Sequence, residues 1–275
     1  MNPYRHFAAI YDQVMDAVPY DEWVGFAHGL LLAEAGDSDG SATEAEAGLL
    51  PAATGGPAHI LDACCGTGNV ALRLAQAGYR VTGVDQSEAM LQQAARKERQ
   101  AVEDGRISPN SLDWSCQDVR SLRLPEPVDA AFCLYDSLNY MLTPEDLEAA
   151  LKAIGGALRP GGLLVFDAFQ RWDRDREVPA KQIIQGAGWS LLWENHFDRP
   201  SRRWRIDLKG VVREDGRRHR FTEHHDERAY STTQVKKALT DAGLHRIRAY
   251  DGFAARPATR STERVVYLAR RDQTS

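Results

Sequence analysis

Two glycines, Gly66 and Gly68, follow an apolar run that ends in Asp62 and the vicinal pair Cys64 and Cys65, in the stretch ILDACCGTGNV at 60–70. With Ala71 they fit the G-x-G-x-x-A spacing of an anion-binding turn. Glycine there lets the backbone approach a ligand, and the N–H groups opening the next helix face negative charge. A diphosphate and a carboxylate suit such a turn equally. Asp62 separates them, because a carboxylate beside the loop repels a doubly charged diphosphate and stabilises an ammonium. A second acid, Asp85, ends the run YRVTGVD, where its two oxygens can accept from two ribose hydroxyls. An ammonium, a carboxylate and a ribose are all carried by S-adenosylmethionine. Asp85 serves NAD equally well, so a nicotinamide-dependent oxidoreductase stays open at this point.

The loop must be held by a strand before it and a helix after it. From His59 onward such pieces alternate: AHILDACC, NVALRLAQAG, YRVTGVD, SEAMLQQAARKERQAVEDG, SLDWSCQD, PVDAAFCLYD, TPEDLEAALKAIGGALRPGG and GLLVFDAF. The alternation predicts a mostly parallel sheet with helices on both faces. Residues 182–230 instead alternate polar and apolar in GWSLLWENHFD, RRWRIDLKGVVRED and RRHRFTEHHDERAY, separated by turn signals, which predicts antiparallel strands. STTQVKKALTDAGL reads as a last helix with Ser231 as N-cap and Gly243 as its stop, followed by two closing strands. Before the core, residues 3–34 carry helical spacing broken at Pro19, with Asp21 placed to cap the second helix. Residues 36–58 carry almost no large apolar side chains and read as a flexible linker or loop.

Five segments in order across 60–167 resemble the motifs of the class I S-adenosylmethionine-dependent methyltransferases: ILDACCGTG, GVDQSEAML, QDVRSL, FCLYDSLNYM and LRPGGLLVFD. The tail FTEHHDERAYSTTQVKKALTDAGL and the YDSLNYM segment are similar to a group of small bacterial members of poorly defined substrate. The resemblance implies a Rossmann-like α/β fold with a seven-stranded sheet and an antiparallel insertion before the last helix. It also implies S-adenosylmethionine as cofactor. Asp62, Cys64, Gly66 and Gly68 would surround its methionine part, Asp85 the ribose, and Gln86 and Met90 the adenine surroundings. Asp118 would accept from the adenine amino group with Val119 beside it, and Leu134 would lie under the sulfonium. Cys64 stands where the family most often has glycine.

Methyl transfer from a sulfonium is an in-line displacement that first needs alignment, and needs a base only where the acceptor must lose a proton. Tyr135, Asp136, Ser137, Asn139 and Tyr140 follow the fourth strand and are expected at the transfer site, with Asp136 as a catalytic candidate. Tyr11 and Asp12, with Tyr20 and Trp23, are expected to form an N-terminal lid whose rings face the cation, with Tyr11 as a further catalytic candidate; plain helix packing is the competing role for Trp23. In the insertion, Glu223, His225, Arg228 and Tyr230 recur mostly at strand spacing, and His225 is the base candidate because its ordinary pKa lies near neutrality. No metal site is expected: adjacent His224 and His225 point to opposite faces of a strand.

Composition bounds the rest. The 275 residues are 43% hydrophobic and 27% charged with a formal net charge of −5, which suits a globular chain and disfavours non-specific nucleic-acid binding. The arginines of RRWRIDLK and REDGRRHR are interleaved with acids, as on a solvated strand face. No apolar run reaches the roughly 18–20 residues of a membrane span, and the first residues are no signal segment, so a cytoplasmic location is expected. Cys64, Cys65, Cys116 and Cys133 lack paired zinc or redox spacing and are expected as small buried thiols. The expected organisation is a helical lid (1–35), a linker (36–58), a cofactor-binding core (59–170), an antiparallel insertion over the acceptor (171–231), and a closing helix with two strands (232–275). The expected activity moves a methyl group to nitrogen or oxygen of a small-molecule acceptor. The competing readings are an NAD-dependent oxidoreductase, a non-catalytic cofactor-binding protein, and a methyltransferase acting on RNA or protein.

Overall fold

The computed structural model describes Tyr4 and residues 6–36, 58–171, 179–214 and 216–273. The linker expected at 36–58 therefore lies, apart from its two end residues, outside the described residues.

Seven strands form the main sheet: β1 (His59–Ala63), β2 (Arg80–Asp85), β3 (Leu112–Cys116), β4 (Val128–Cys133), β5 (Leu158–Phe169), β10 (Leu244–Asp251) and β11 (Arg264–Arg271). Their order is β10-β11-β5-β4-β1-β2-β3. β1 pairs in parallel with both β2 and β4, so the chain reverses its direction of travel across the sheet between those neighbours. In an open parallel sheet this switch point leaves a crevice outside the carboxyl ends of the strands. β11 runs antiparallel between β5 and β10, with Val266 opposite Asp167 and Arg264 opposite Phe169. That direction brings the start of β11 to the crevice edge.

Successive strand residues fall into two buried clusters on opposite faces, because side chains alternate with period two. Leu61, Ala131, Phe166 and Tyr267 pack with Leu147, Leu151, Val235 and Leu239 on α5 (Pro144–Ala157) and α6 (Thr232–Asp241). Ile60, Phe132, Val165 and Val266 pack with Leu31 and Leu74 on α2 (Tyr20–Gly36) and α3 (Asn69–Gln76). A sheet buried on both faces has near-continuous apolar strands, and β1 is buried throughout.

Helix starts follow local chemistry. Ser87 caps α4 (Glu88–Glu103) by accepting from Met90 N, and Thr143 caps α5 with Pro144 behind it. Ser231 and Gln234 form a capping box on α6, and Gly243 follows that helix at φ 76°. Asp21 does not cap α2: the helix begins one residue earlier, and the carboxylate pairs with Arg73 Nε at 2.5 Å. The helix expected before Pro19 is broken into a 3-10 turn (Phe7–Ala9) and the four-residue α1 (Tyr11–Val14).

A second, antiparallel sheet has the order β6-β7-β8-β9, from β6 (Lys181–Gly186), β7 (Trp189–Asp198), β8 (Arg203–Glu214) and β9 (Arg217–Arg228). Its apolar face, including Trp189, Leu191, Ile206, Leu208 and Phe221, packs on Phe7 and Ile10 of the N-terminal segment. β6 was not separated from its neighbours by sequence, since its burial alternates only weakly. Cys65 and Cys133 are buried and Cys64 half-buried, but Cys116 is exposed, against expectation: it closes edge strand β3, with β2 on one side alone. No helix among the described residues is long and apolar enough to cross a membrane.

Candidate functional site

A cavity of about 370 Å³ opens at the carboxyl ends of β1, β2 and β4 and runs beneath the second sheet and the N-terminal segment. It takes in Asp62, Cys64, Gly66, Asp85, Gln86, Met90, Asp118, Val119 and Leu134 from the expected cofactor set. From the expected acceptor and catalytic sets it takes in Tyr11, Tyr20, Tyr135, Asp136, Tyr140 and His225.

Several expected residues lie away from its wall. At Gly68 (φ 79°) an added Cβ would stand 2.6 Å from the Trp114 ring, so that glycine makes room for Trp114 rather than for a ligand. Asn139 is fully buried and spends its amide between strands, donating to Phe169 O (3.1 Å) and Arg228 O (2.7 Å) and accepting from Phe169 N (2.9 Å). Arg228 donates to Leu142 O at 3.0 Å, and the buried Tyr230 hydroxyl sits between the carbonyls of Met141 and Thr143. These three join β9 to the segment after β4. Trp23 likewise packs, stacked on Phe253 with ring centres 4.4 Å apart.

The floor is built around carboxylates. Asp62 is 2% exposed and accepts from Ala71 N at 3.0 Å, which fixes the turn to the start of α3. Burial pushes its pKa up to about 8, more than the Ala71 N–H offsets. An ammonium placed beside it would return it to the carboxylate. Asp85 accepts from Gly66 N (2.9 Å) and Ser87 N (2.8 Å), one on each oxygen. Each oxygen keeps a further lone pair for a hydroxyl. Gly66 (φ 54°) has nothing within 4 Å of where its Cβ would stand, an open cradle. Met90 and Leu134, both buried, give apolar walls. Asp118 caps the turn Val119–Ser121 and is bound bidentately by Arg120, whose hydrogen bonds hold its pKa low. Together these groups suit the ammonium, ribose and adenine of S-adenosylmethionine.

Cys64 takes up φ 58°, a left-handed conformation that costs about 1 kcal/mol or more for a residue with a Cβ. This explains why glycine is favoured at that position.

The roof is stapled down by residues from distant parts of the chain. Glu223 on β9 accepts from the backbone N–H groups of Tyr4 (2.8 Å), His6 (3.0 Å) and Phe7 (3.1 Å). Asp12 accepts from Thr67 Oγ1 (2.6 Å) and Asn69 Nδ2 (2.9 Å), and lies 2.8 Å from Lys97 Nζ. The N-terminal segment is thereby fixed to both sheets, with Tyr4 and Tyr11 facing the cavity.

At the far end, Tyr135 (φ 67°) and Asp136 (φ 47°) are two consecutive left-handed residues. Asp167, fully buried on β5, holds them by accepting from Tyr135 N (2.6 Å) and Asp136 N (3.1 Å). Arg264 pairs with Asp167 and stands 2.8 Å from Asp136 Oδ1. His225 is 3% exposed, with Nδ1 3.4 Å from the Tyr140 hydroxyl. Burial lowers its pKa to about 4, so at neutral pH it is an uncharged ring and a weak proton acceptor, unlike the near-neutral base expected. His224 faces outward and pairs with Asp207 at 2.6 Å. Sequence reading missed Tyr4, Asp167, Glu227 and Arg264. Glu227 was within reach, since it shares the strand phase of Glu223 and His225 in TEHHDER. Asp167 and Arg264 act through a pairing of β5 with β11 that no local pattern announces.

A methyltransferase-domain family profile matches residues 60–162, which span β1 to the start of β5. "Putative methyltransferase YqeM" of Bacillus subtilis (strain 168) is 28% identical over 275 residues, covering 98% of both chains. A solved S-adenosylmethionine-dependent methyltransferase from Clostridium acetobutylicum ATCC 824 aligns over 98% of this chain and 99% of its own, with a TM-score of 0.74 and 26% identity. The chain is a class I S-adenosylmethionine-dependent methyltransferase. The dinucleotide reading of the glycine loop is thereby set aside. A further relative of this methyltransferase, over 68% of its length and 70% of the other at 26% identity, is the dTDP-3-amino-3,6-dideoxy-alpha-D-glucopyranose N,N-dimethyltransferase of Streptomyces fradiae.

Proposed function

We propose that the enzyme methylates a small-molecule acceptor at nitrogen or oxygen. The observation that carries this reading is the roof: the N-terminal segment and β7–β9 close over the carboxyl ends of the strands, so that the acceptor space is walled by Tyr4, Tyr140, Trp193, Trp204 and His225. A volume of about 370 Å³ lies within the roughly 300–1,000 Å³ of small-molecule sites. The amino-sugar methyltransferase relative supports a small-molecule acceptor. On the outer face of the roof, Arg205 pairs with Asp226 (2.9 Å) and Lys209 with Glu194 (3.0 Å).

When bound, S-adenosylmethionine supplies an electrophilic methyl group with a thioether as leaving group. Asp62 would hold its ammonium and Asp85 its ribose, with Gln86, Met90, Asp118 and Val119 around the adenine and Leu134 beneath the sulfonium. Tyr11, Tyr20, Tyr135 and Tyr140 would position the acceptor, and the roof would exclude water. Incubation with methyl-labelled S-adenosylmethionine and a whole bacterial lysate tests this. Label is expected in the small-molecule filtrate; label retained only on RNA or protein would overturn the reading.

A further inference from the structure

Three carboxyl groups meet one guanidinium at the acceptor end of the cavity. Asp167 takes the Arg264 charge and also accepts from Tyr135 N and Asp136 N. Asp136 is 6% exposed and Glu227 3%, and both line the cavity. They belong to the same cavity wall, near enough for the Asp136 charge to act on Glu227. Glu227 Oε2 has no hydrogen-bond partner among the described residues, and neither has Nε2 of the neighbouring His225. The other titratable groups around Glu227 are Tyr4, Tyr135 and Tyr140, whose hydroxyls burial keeps neutral. Asp167 and Asp136 share Arg264, and among the described residues no ion pair joins Glu227 to a cation.

Burial, with the charge of the nearby Asp136 added, raises the Glu227 pKa well above its ordinary value, so Glu227 carries a proton in the empty wall. A buried acid with an unpartnered oxygen in a cavity wall is incomplete without a cationic donor. The aromatic rings of Tyr4, Tyr135 and Tyr140 around it also favour a cation.

We propose that Asp136 and Glu227 form the anchor and proton acceptor for an ammonium-bearing acceptor, making the enzyme a small-amine N-methyltransferase. This rests on the small-molecule reading above. The pair begins with one proton and one negative charge and binds the acceptor as R–NH3+. One N–H proton passes to the pair, and its bonding electrons stay on nitrogen as a lone pair. The N–C bond forms from that lone pair while the C–S bonding pair leaves with sulfur. The product departs as R–NH2+–CH3, and the pair returns its extra proton to solvent. Neutral alcohols offer the pair no charge, so they are excluded by the desolvation the site demands.

The test uses methyl-labelled S-adenosylmethionine and the small-molecule filtrate of a bacterial lysate, untreated or acetylated beforehand with acetic anhydride in water to block amines. Label is expected in the untreated filtrate and lost from the acetylated one. Glu227→Gln, close to isosteric, is expected to lower labelling about 100-fold or more. Its affinities for S-adenosylmethionine and S-adenosylhomocysteine, measured by calorimetry, are expected to match wild type, which also shows that the variant folds. Equal labelling of the acetylated filtrate overturns the amine assignment, and full activity in Glu227→Gln overturns the role of the pair. Selective loss of S-adenosylmethionine affinity would assign Glu227 to the sulfonium and overturn the proposal. If wild type binds the cofactor but labels neither filtrate, the small-molecule reading itself fails and the proposal falls with it.

Discussion

Gly66 and Gly68 sit two residues apart in one motif and are glycine for different reasons. Both have positive φ, so a side chain at either costs about 1 kcal/mol of backbone strain. Behind Gly66 is open cavity, whereas behind Gly68 stands Trp114. Gly66→Ala is therefore expected to weaken S-adenosylmethionine binding with a small drop in melting temperature. Gly68→Ala should lose about 2–3 kcal/mol of stability, as overpacking against a ring does. Calorimetry and thermal melting of the two variants check this, and reversed effects would refute it. Asp62 gives a pH signature. Its pKa is about 8 when folded against an ordinary 3.8, so the ligand-free folded chain holds a proton that the unfolded chain releases. That contribution to stability is whole below about pH 4 and is lost as the pH climbs through about 8. Asp62→Asn removes it, so ligand-free wild type should lose more melting temperature between about pH 5 and pH 8 than the variant does. Parallel curves would exclude the assignment. The charge logic of Asp62 was legible from neighbouring residues alone; the true burden on Gly68 was not, because Trp114 comes from another strand.

At the level of elements, β9 is the piece whose pattern carried most information. Its inward positions read Phe221, Glu223, His225 and Glu227, three polar groups on a face that should be apolar, and each is buried. Glu223 is expected to govern the N-terminal segment, since charge-assisted hydrogen bonds contribute about 1.5–3 kcal/mol each. In Glu223→Gln the amides of Tyr4, His6 and Phe7 should exchange with solvent roughly ten- to hundredfold faster, while those of β4 and β5 stay protected. Unchanged exchange at the three amides would show that the segment is held by its apolar contacts alone. Helix α6 was legible because its capping box is local. The N-terminal helix before Pro19 was not: Phe7 and Ile10 have helical spacing, but they are drawn apart from a regular helix by packing on the second sheet.

Across the whole molecule, the mostly parallel sheet between helices and the antiparallel strands after it followed from alternating apolar pieces and short turns, whereas the cavity's acceptor end did not. It is assembled from β4, β5, β9, β11 and the N-terminal segment, which lie up to 260 residues apart between Tyr4 and Arg264, and only three-dimensional pairing brings them together. One feature of that assembly has an evolutionary meaning. Among the described residues, the four-stranded roof shares no strand pairing with the seven-stranded floor. Inward residues such as Trp193, Trp204 and Ile206 can therefore be exchanged without breaking a single hydrogen-bond ladder beneath Asp62 and Asp85. A lineage built this way can retune its substrate repertoire by drift in the roof while the floor is kept under purifying selection for one unchanging donor.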